Sequence, residues 1–211
     1  MNGRLAGVVL CGGQSTRMGA PKAWLEAGGE TLLARTVRAI AAVAAKVVVV
    51  AAPGQEVPPL PEGVAVIRDA VAGRGPLEGL AAGLDAVMPF APAAFVSATD
   101  APFLHPALIR RLAELRGPED DLVVPRVGGR LHPLAALWTE GARAEIAASL
   151  AARQLRLTAV VARARARYAD EALLLGGEEL ARVDPGLRSL CNVNTPEEYA
   201  AALAEMAGRE R

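Results

Sequence analysis

Short apolar runs alternate along this chain with longer segments whose apolar residues recur at helical spacing. The valine run Lys46–Ala51 is typical of a strand buried on both faces, and Thr31–Ala44 repeats its leucines, valine and isoleucine as one face of a helix does. The predicted strands are Leu5–Leu10, Lys46–Ala51, Val64–Ile67, Ala94–Ala98 and Leu122–Pro125, and the predicted helices between them are Thr31–Ala44, Leu77–Val87 and His105–Leu115. This alternation predicts an α/β fold with a doubly wound, mostly parallel sheet covered by helices on both faces.

The second half of the chain adds an antiparallel element. Gly128 and Gly129 separate two apolar stretches, Leu122–Val127 and Leu134–Trp138, as in a β-hairpin. Helices are predicted over Glu140–Leu150 and Gln154–Ala164, and a capping box with proline at its first helical position predicts a last helix from Pro196 to about Ala207. Because neither a repeat nor a low-complexity linker interrupts the pattern, we expect residues 1–211 to form a single domain.

Composition limits the classes of partner. The 211 residues are 52% hydrophobic and 22% charged, which is typical of a globular domain. A formal net charge of zero provides no general basic field, so we expect neither a nucleic acid nor a membrane as partner. Cys11 and Cys191 lack metal-site spacing, and the apolar run at Leu5–Leu10 is too short for a secretory signal, so a cytoplasmic location is expected.

The segment from Leu10 to Lys22, LCGGQSTRMGAPK, follows the first predicted strand and has the chemistry of a polyphosphate site. Its glycines let backbone N–H groups approach an anion, and Arg17 and Lys22 supply positive charge. The segment fits neither the P-loop nor the dinucleotide-binding G-x-G-x-x-G pattern. Lys22 is one of only two lysines in the chain, and a compact, rotatable ammonium suits a crowded phosphate.

Aspartates end two of the other predicted strands. Asp69 follows Val64–Ile67, and Asp100 follows Ala94–Ala98. Parallel sheets bind ligands beyond the carboxyl ends of their strands, so Asp69, Asp100 and Lys22 are expected to share one crevice. A carboxylate at a buried strand end is costly unless it is paired or bound to a metal.

The glycine-rich segment closely resembles the signature of a family of nucleotidyltransferases, Leu-Ala-Gly-Gly-x-Ser-x-Arg-Met-Gly-x-x-Lys, with Cys11 in place of alanine. A second match is Gly75-Pro76-Leu77-Glu78-Gly79, similar to the family's Gly-Pro-Leu-x-Gly element beside the base and sugar. The segment from Asn192 to Glu197, NVNTPE, resembles the closing motif of the molybdenum cofactor guanylyltransferases, the MobA family. These matches extend from residue 7 to about residue 205.

The resemblance implies a Rossmann-like nucleotidyltransferase fold and an enzyme that transfers GMP from GTP to the phosphate of molybdopterin, releasing pyrophosphate. It implies a catalytic role for Arg17, Lys22 and Asp100, with Mg²⁺ on Asp100. The nucleotide-binding residues that it implies are Leu10, Cys11, Gly12, Gly13, Ser15, Arg17, Lys22, Asp69, Gly75, Pro76, Leu77 and Asp100, and the acceptor-site residues are His132, Asn192 and Asn194. Cofactor-delivery proteins or acceptor molybdoenzymes are possible protein partners.

Two alternatives remain from the sequence. A cytidylyltransferase acting on the same cofactor, or another small-molecule nucleotidyltransferase, would share the first loop, although Ala101 and the Gly75-Pro76-Leu77 turn favour guanine. A nucleotide-binding adaptor without turnover would not need a metal carboxylate such as Asp100. The chain departs from the family where Ala51-Ala52 ends the second strand, because many relatives carry a nucleotide-contacting asparagine there. The arginines between Arg153 and Arg167 are interpreted as a solvated surface.

Overall fold

A computed structural model of the chain describes residues 4–12, 21–69 and 75–209. Its strands are β1 (Leu5–Leu10), β2 (Glu26–Ala27), β3 (Glu30–Thr31), β4 (Lys46–Ala51), β5 (Ala65–Arg68), β6 (Ala93–Ala98), β7 (Leu122–Val127), β8 (Arg130–Leu131), β9 (Ala135–Thr139) and β10 (Ala166–Asp170). Its α-helices are α1 (Leu32–Ala41), α2 (Pro76–Val87), α3 (Pro106–Leu115), α4 (Arg143–Ala151), α5 (Leu157–Arg163), α6 (Glu171–Leu175), α7 (Glu178–Val183) and α8 (Pro196–Arg209).

The main sheet has the order β10-β7-β9-β6-β1-β4-β5, with β8 paired to β7. Along this path β9 alone is antiparallel to its neighbours, which confirms the predicted, mostly parallel sheet with an antiparallel element. The chain moves outward from β1 through β4 to β5 and then returns to β6 on the other side of β1. The strand order therefore reverses between β1 and β6, which is the position where open α/β sheets form a ligand crevice at the carboxyl ends of the strands.

Alternating strand residues build a core on each face of the sheet. On one face, Val9, Val49 and Phe95 pack against α1 and α3. On the other face, Val8, Val50 and Val96 pack against α2, α4 and α5. A third cluster places α8 against the start of α1 through Leu32, Val193, Ala202 and Met206. The C-terminal segment is thereby held beside the carboxyl edge of the sheet.

One glycine determines how closely α2 approaches the sheet. A Cβ atom at Gly83 would lie 2.3 Å from Cγ1 of Val8, far inside van der Waals contact. The absence of a side chain at this position lets α2 lie directly on β1 and β4. Because the first turn of α2 carries part of the predicted site, this close packing fixes that turn relative to the end of β1.

Several predicted boundaries shift for local reasons. Thr31 is the N-cap of α1, because its hydroxyl accepts a hydrogen bond from Ala34 N at 3.2 Å, so the helix begins one residue later than predicted. The helix predicted from Gln154 begins at Leu157, since Arg153 adopts a left-handed backbone conformation and Gln154 N closes the preceding helix on Ser149 O. The described helices include none with the length and apolar character needed to cross a bilayer.

The sequence pattern missed the edge strand β10. The strand, Ala166–Asp170, starts at the end of the arginine run that the sequence pattern assigns to solvated surface and includes its last member, Arg167. Arg167 Nε binds Asp120 Oδ2 at 2.6 Å, and Arg165 Nη2 binds Asp121 Oδ1 at 2.7 Å just before the strand. These arginines are largely exposed, as expected, but they also fasten the edge of the sheet to the loop before β7.

Candidate active site

The end of β1 is tied to the ends of both neighbouring strands. Thr99, just after β6, donates a hydrogen bond from its hydroxyl to Leu10 O at 3.1 Å. On the other side, Cys11 N donates to Val50 O at 2.8 Å. The start of the glycine-rich segment is therefore fixed at the point where the strand order reverses. Gly13, Ser15 and Arg17, which the sequence assigns to phosphate binding, lie outside the described residues.

Gln55 is a residue at this edge that the sequence pattern did not indicate. Its side-chain nitrogen donates to Cys11 O at 3.0 Å, and its side-chain oxygen accepts from Ala52 N at 3.0 Å. Burial raises the pKa of the Cys11 thiol above its ordinary value, which favours the neutral form of this side chain. Cys11 thus acts as a small buried side chain, and Gln55 connects the loop after β4 to the first turn after β1.

Lys22 and Asp100 meet at the carboxyl end of β6. Lys22 begins a 3-10 turn, Lys22–Trp24, and its ammonium donates to Asp100 Oδ2 at 2.7 Å. The side chains are 20% and 14% exposed, so the pair is partly shielded from water. The prediction that these two residues share a crevice agrees with this contact across 78 positions of sequence.

The two asparagines of the C-terminal motif complete this cluster. Asn194 Oδ1 accepts a second hydrogen bond from the Lys22 ammonium at 2.9 Å, and Asn192 Nδ2 donates to Asp100 Oδ1 at 2.5 Å. Between them, Val193 N donates to the backbone oxygen of Asp100 at 2.9 Å. The sequence assigned these asparagines to the acceptor, whereas in the structure their side-chain amides bind the residues assigned to the phosphate and the metal.

Asp69 lies at the same edge of the sheet, after β5. Its backbone N–H donates to Ala51 O at 3.0 Å, and its carboxylate lies beside Gly12 and Gly79. Within the described part of the chain, Asp69 Oδ1 is buried without a hydrogen-bond partner. Burial raises the pKa of this carboxyl group, and the nearby Glu78 carboxylate adds to that shift.

The turn before α2 presents a further part of the predicted site. Gly75 caps the helix with φ of 69°, a conformation that favours glycine, and Pro76 is the first helical residue. The side chain of Leu77 is fully buried in the core between the sheet and helices α2, α4 and α5. A ligand contact from Leu77 would therefore come from its backbone, while Gly75 and Pro76 are exposed.

A cavity of about 560 Å³ adjoins the Lys22–Asp100 pair. The three predicted acceptor residues, His132, Asn192 and Asn194, all line it. Burial, followed by the positive charge of Arg130, holds the pKa of His132 below its ordinary value, so the neutral imidazole is favoured. The two asparagines connect the cavity to the Lys22–Asp100 pair, because they line the cavity and bind the pair.

Another part of the cavity wall contains a cation that is paired within the protein. Arg188 lies over the ring of Phe103 at 4.6 Å and binds both carboxylate oxygens of Glu205. Its charge is thereby compensated within the wall, whereas Arg130 is exposed on the β7–β8 side.

The donor atoms at Asp100 fit a hard divalent cation. The cluster offers a carboxylate from Asp100 and an amide oxygen from Asn194, which are the ligand types that Mg²⁺ and Mn²⁺ take. Across the described ranges, no group of three or more His, Cys, Asp and Glu side chains could hold a metal ion. Magnesium is commonly held by one or two carboxylates and the phosphates of its substrate, so the donor set suits a metal that arrives with a nucleotide.

A family model for the MobA-like NTP transferase domain matches residues 7–172. Two curated relatives are both named probable molybdenum cofactor guanylyltransferase. The one from Pelotomaculum thermopropionicum is 36% identical, over 93% of this chain and 90% of the relative. The one from Mycolicibacterium paratuberculosis is 40% identical, over 94% of each chain.

Solved structures have the same fold. Molybdopterin-guanine dinucleotide biosynthesis protein A from Archaeoglobus fulgidus superposes with a TM-score of 0.75 at 22% identity, covering 96% of this chain and 99% of the other. A Mycobacterium tuberculosis protein in complex with manganese has a TM-score of 0.59 at 21% identity, covering 95% and 98% of the two chains. The family match and the two relatives together show that the chain belongs to the MobA-like NTP transferases and is a nucleotidyltransferase.

Proposed function

We propose that this protein transfers GMP from GTP to the terminal phosphate of the molybdopterin cofactor, forming molybdopterin guanine dinucleotide and pyrophosphate. The names of both curated relatives support this reaction. The observation that carries the proposal is that Asn192 and Asn194 line the cavity and also bind the Lys22–Asp100 pair. The candidate phosphate site and a cavity large enough for a second substrate therefore share one wall.

The nucleotide would bind along the carboxyl edge of β1, β5 and β6. Cys11 N already binds Val50 O, so the backbone N–H groups of Gly12 and Gly13, with Ser15, Arg17 and Lys22, would hold the triphosphate, and Leu10 and Cys11 would border it. Asp69 would accept hydrogen bonds from the nucleoside, since its buried Oδ1 atom is an acceptor without a partner among the described residues. Gly75, Pro76 and the backbone of Leu77 would border the same nucleoside.

The reaction is a direct displacement at phosphorus. A terminal phosphate oxygen of the acceptor attacks the α-phosphorus of GTP, the bond between that phosphorus and the β-phosphate bridging oxygen breaks, and pyrophosphate leaves with the electron pair. The second pKa of a phosphate monoester is near 6, so the nucleophile is mostly a dianion at neutral pH and needs no general base. Lys22 and Arg17 would reduce the repulsion between the two anions and stabilise the leaving group.

Asp100 would hold a divalent cation, which we propose to be Mg²⁺. When bound, the metal would neutralise charge on the phosphates. Asn192 would keep the Asp100 carboxylate in one orientation through its 2.5 Å hydrogen bond. Manganese in the M. tuberculosis structural neighbour supports the use of a divalent cation by a protein of this fold.

The acceptor would occupy the cavity beside His132. A neutral imidazole can donate or accept a hydrogen bond there without adding charge, while Arg130 provides a cation for an anionic substrate. We further propose that residues 1–211 act as one nucleotidyltransferase domain in the cytoplasm. Cofactor-delivery proteins or acceptor molybdoenzymes remain proposed partners.

Thermal unfolding with Mg²⁺ and each of GTP, CTP, ATP and UTP tests the nucleotide half of this proposal. A ligand at about 100 times its Kd should stabilise the protein by roughly 2.7 kcal/mol, so a selective, metal-dependent increase in Tm is expected with GTP. Pyrophosphate release that requires both GTP and molybdopterin would then establish turnover. A shift with CTP alone would identify a cytidylyltransferase, and GTP binding without turnover would indicate an adaptor.

A further inference from the structure

The ammonium of Lys22 takes the place of a cation at Asp100. It lies 2.7 Å from Asp100 Oδ2 and 2.9 Å from Asn194 Oδ1, so it occupies the space between the two oxygen atoms that are suited to a metal. A divalent cation bound to those atoms would meet a positive charge within a few ångströms. In a partly shielded site this repulsion weakens metal binding substantially.

The two oxygen atoms belong to residues whose backbones are held by the fold. Val193 N binds the Asp100 backbone oxygen, and Val193 itself is buried. Asn194 N donates to Glu198 Oε2 at 2.6 Å, just before the start of α8. The bond to α8 therefore holds the backbone of Asn194, and β6 together with Val193 holds the backbone of Asp100.

The ammonium, in contrast, can move without a change of fold. The backbone of Lys22 is held in its turn by hydrogen bonds from Trp24 N to Pro21 O and from Leu25 N to Lys22 O, and Ala23 is buried beside it. The lysine side chain has four rotatable carbon–carbon bonds, so its charge can move several ångströms while this turn stays in place. The phosphates of a nucleoside triphosphate beside Lys22 offer a higher density of negative charge than one carboxylate does.

We propose that Lys22, held on Asp100 by Asn194, closes the metal position in the nucleotide-free enzyme, and that nucleotide phosphates draw the ammonium away before the metal binds there. Asn194 is on this account a positioning residue, because it acts through Lys22. The consequence is an order of binding in which Asp100 receives the metal with or after the nucleotide. This inference rests on the proposed function for its assignment of Asp100 to the metal and of Lys22 to the phosphates.

Binding of Mn²⁺ alone, measured by electron paramagnetic resonance without nucleotide, tests the closed state. Lys22→Met removes the ammonium while keeping an unbranched side chain, and we expect it to bind Mn²⁺ at least about tenfold more tightly than the wild type. The gain should vanish in the Lys22→Met/Asp100→Asn double variant. Lys46→Met is the matched control, because it removes the other lysine, which lies over the Phe90 ring, and it should bind as the wild type does.

Two results of that measurement would overturn the inference. The first is wild-type protein that binds Mn²⁺ at Asp100 as tightly as Lys22→Met does. The second is a gain in Lys22→Met that persists in the double variant, because the metal would then bind elsewhere.

A second measurement uses the folded wild-type protein in case Lys22→Met is unstable. In ¹⁵N-lysine-labelled protein, the two side-chain ammonium signals can be assigned with Lys46→Arg. GTP with chelator present should shift the Lys22 signal and leave that of Lys46 in place, and Asn194→Ala should alter the Lys22 signal without nucleotide. A Lys22 signal that moves with Mn²⁺ alone, or does not move with bound GTP, contradicts the proposed order.

Failure of this inference is distinguishable from failure of the proposed function. A protein that turns over GTP and molybdopterin but binds Mn²⁺ alone equally well with and without Lys22 contradicts only the closed state. A protein whose Tm does not respond to GTP contradicts the proposed function itself.

Discussion

Asp69 and Asp100 occupy equivalent places in the sequence pattern, yet the fold treats them differently. Each follows a parallel strand at the same edge of the sheet. Both oxygens of Asp100 accept hydrogen bonds, one from an ammonium and one from an amide. Asp69 has a buried oxygen without a partner in the described part of the chain, and it lies near a second carboxylate.

The difference shows what each carboxylate needs from a ligand. Charge at Asp100 is already compensated by Lys22, so the proposed metal would have to replace an existing partner. Asp69 has an oxygen with no partner among the described residues, so a ligand that donates hydrogen bonds would recover part of the desolvation cost of this carboxylate. On the proposed function, binding at Asp100 would be an exchange of partners, whereas binding at Asp69 would supply a partner that the described residues do not provide.

The largest expected effect is on turnover in Asp100→Asn. The amide keeps the shape of the side chain but removes the charge that would hold the metal, so kcat should fall by about 10²–10³-fold. Pyrophosphate release at saturating GTP measures it. Asp85→Asn is the control, because Asp85 is an exposed aspartate paired with Arg143 on the outer side of α2. Turnover within threefold of wild type in Asp100→Asn would remove Asp100 from the catalytic assignment.

Gly79→Ala perturbs the Asp69 side of the comparison. The new Cβ would lie 3.2 Å from Asp69 Oδ1, which is close enough to restrict access to that oxygen. We expect the Kd for GTP to rise about tenfold. Tm should change little, because the helix preference of alanine over glycine, about 0.5–1 kcal/mol, is opposed by crowding of the new Cβ against Asp69 and Leu10. Isothermal titration calorimetry measures the Kd. Gly208→Ala, in α8 with no neighbour within 4 Å of the added atom, should leave it unchanged.

Glu78→Gln should change how stability depends on pH through Asp69. The pKa of Asp69 is raised, so between its ordinary value of 3.8 and its higher folded value the native state binds more protons than the unfolded chain, and stability falls as pH rises. Removing the Glu78 charge lowers that folded pKa and should reduce the loss, by less than about 1 kcal/mol at low salt. Urea unfolding from pH 4 to 7 measures the slope. Glu62→Gln removes an exposed carboxylate and is the control. If it changed the pH dependence of stability as much as Glu78→Gln does, the effect would come from net charge.

The smallest expected effect concerns His132 in the cavity. Its pKa is lowered, so as pH falls below about 6.5 the unfolded chain takes up a proton first and the native state loses stability. In His132→Gln, the loss of unfolding free energy between pH 7 and pH 5 should be smaller by less than about 1 kcal/mol. Chemical unfolding across this pH range measures it. His105→Asn, which retains an acceptor for the Ala107 N–H at the start of α3, is the control. An unchanged slope in His132→Gln would show that another group titrates.

The sequence alone predicted the alternation of strands and helices, because buried parallel strands and amphipathic helices each have a local pattern of apolar residues. The valine run became β4, and the capping box at Thr195 with Pro196 marked the start of α8. It also predicted that Lys22, Asp69 and Asp100 lie at one edge of the sheet, since the carboxyl ends of parallel strands are fixed by topology. The edge strand β10 was missed because only one of its five residues, Ala169, is buried, so it leaves no apolar periodicity.

Tertiary structure decided which partners each predicted residue contacts. Asn192 and Asn194 could be selected from a motif, but their contacts with Asp100 and Lys22 depend on α8 packing across more than ninety and more than one hundred and seventy positions of sequence. Gln55 carries no local signal, because its partners come from the loop after β4 and from the end of β1. Asp69 and Asp100 differ for the same reason, since the hydrogen-bond partners of a carboxylate and its exposure to water are set by distant segments that only the folded chain brings together.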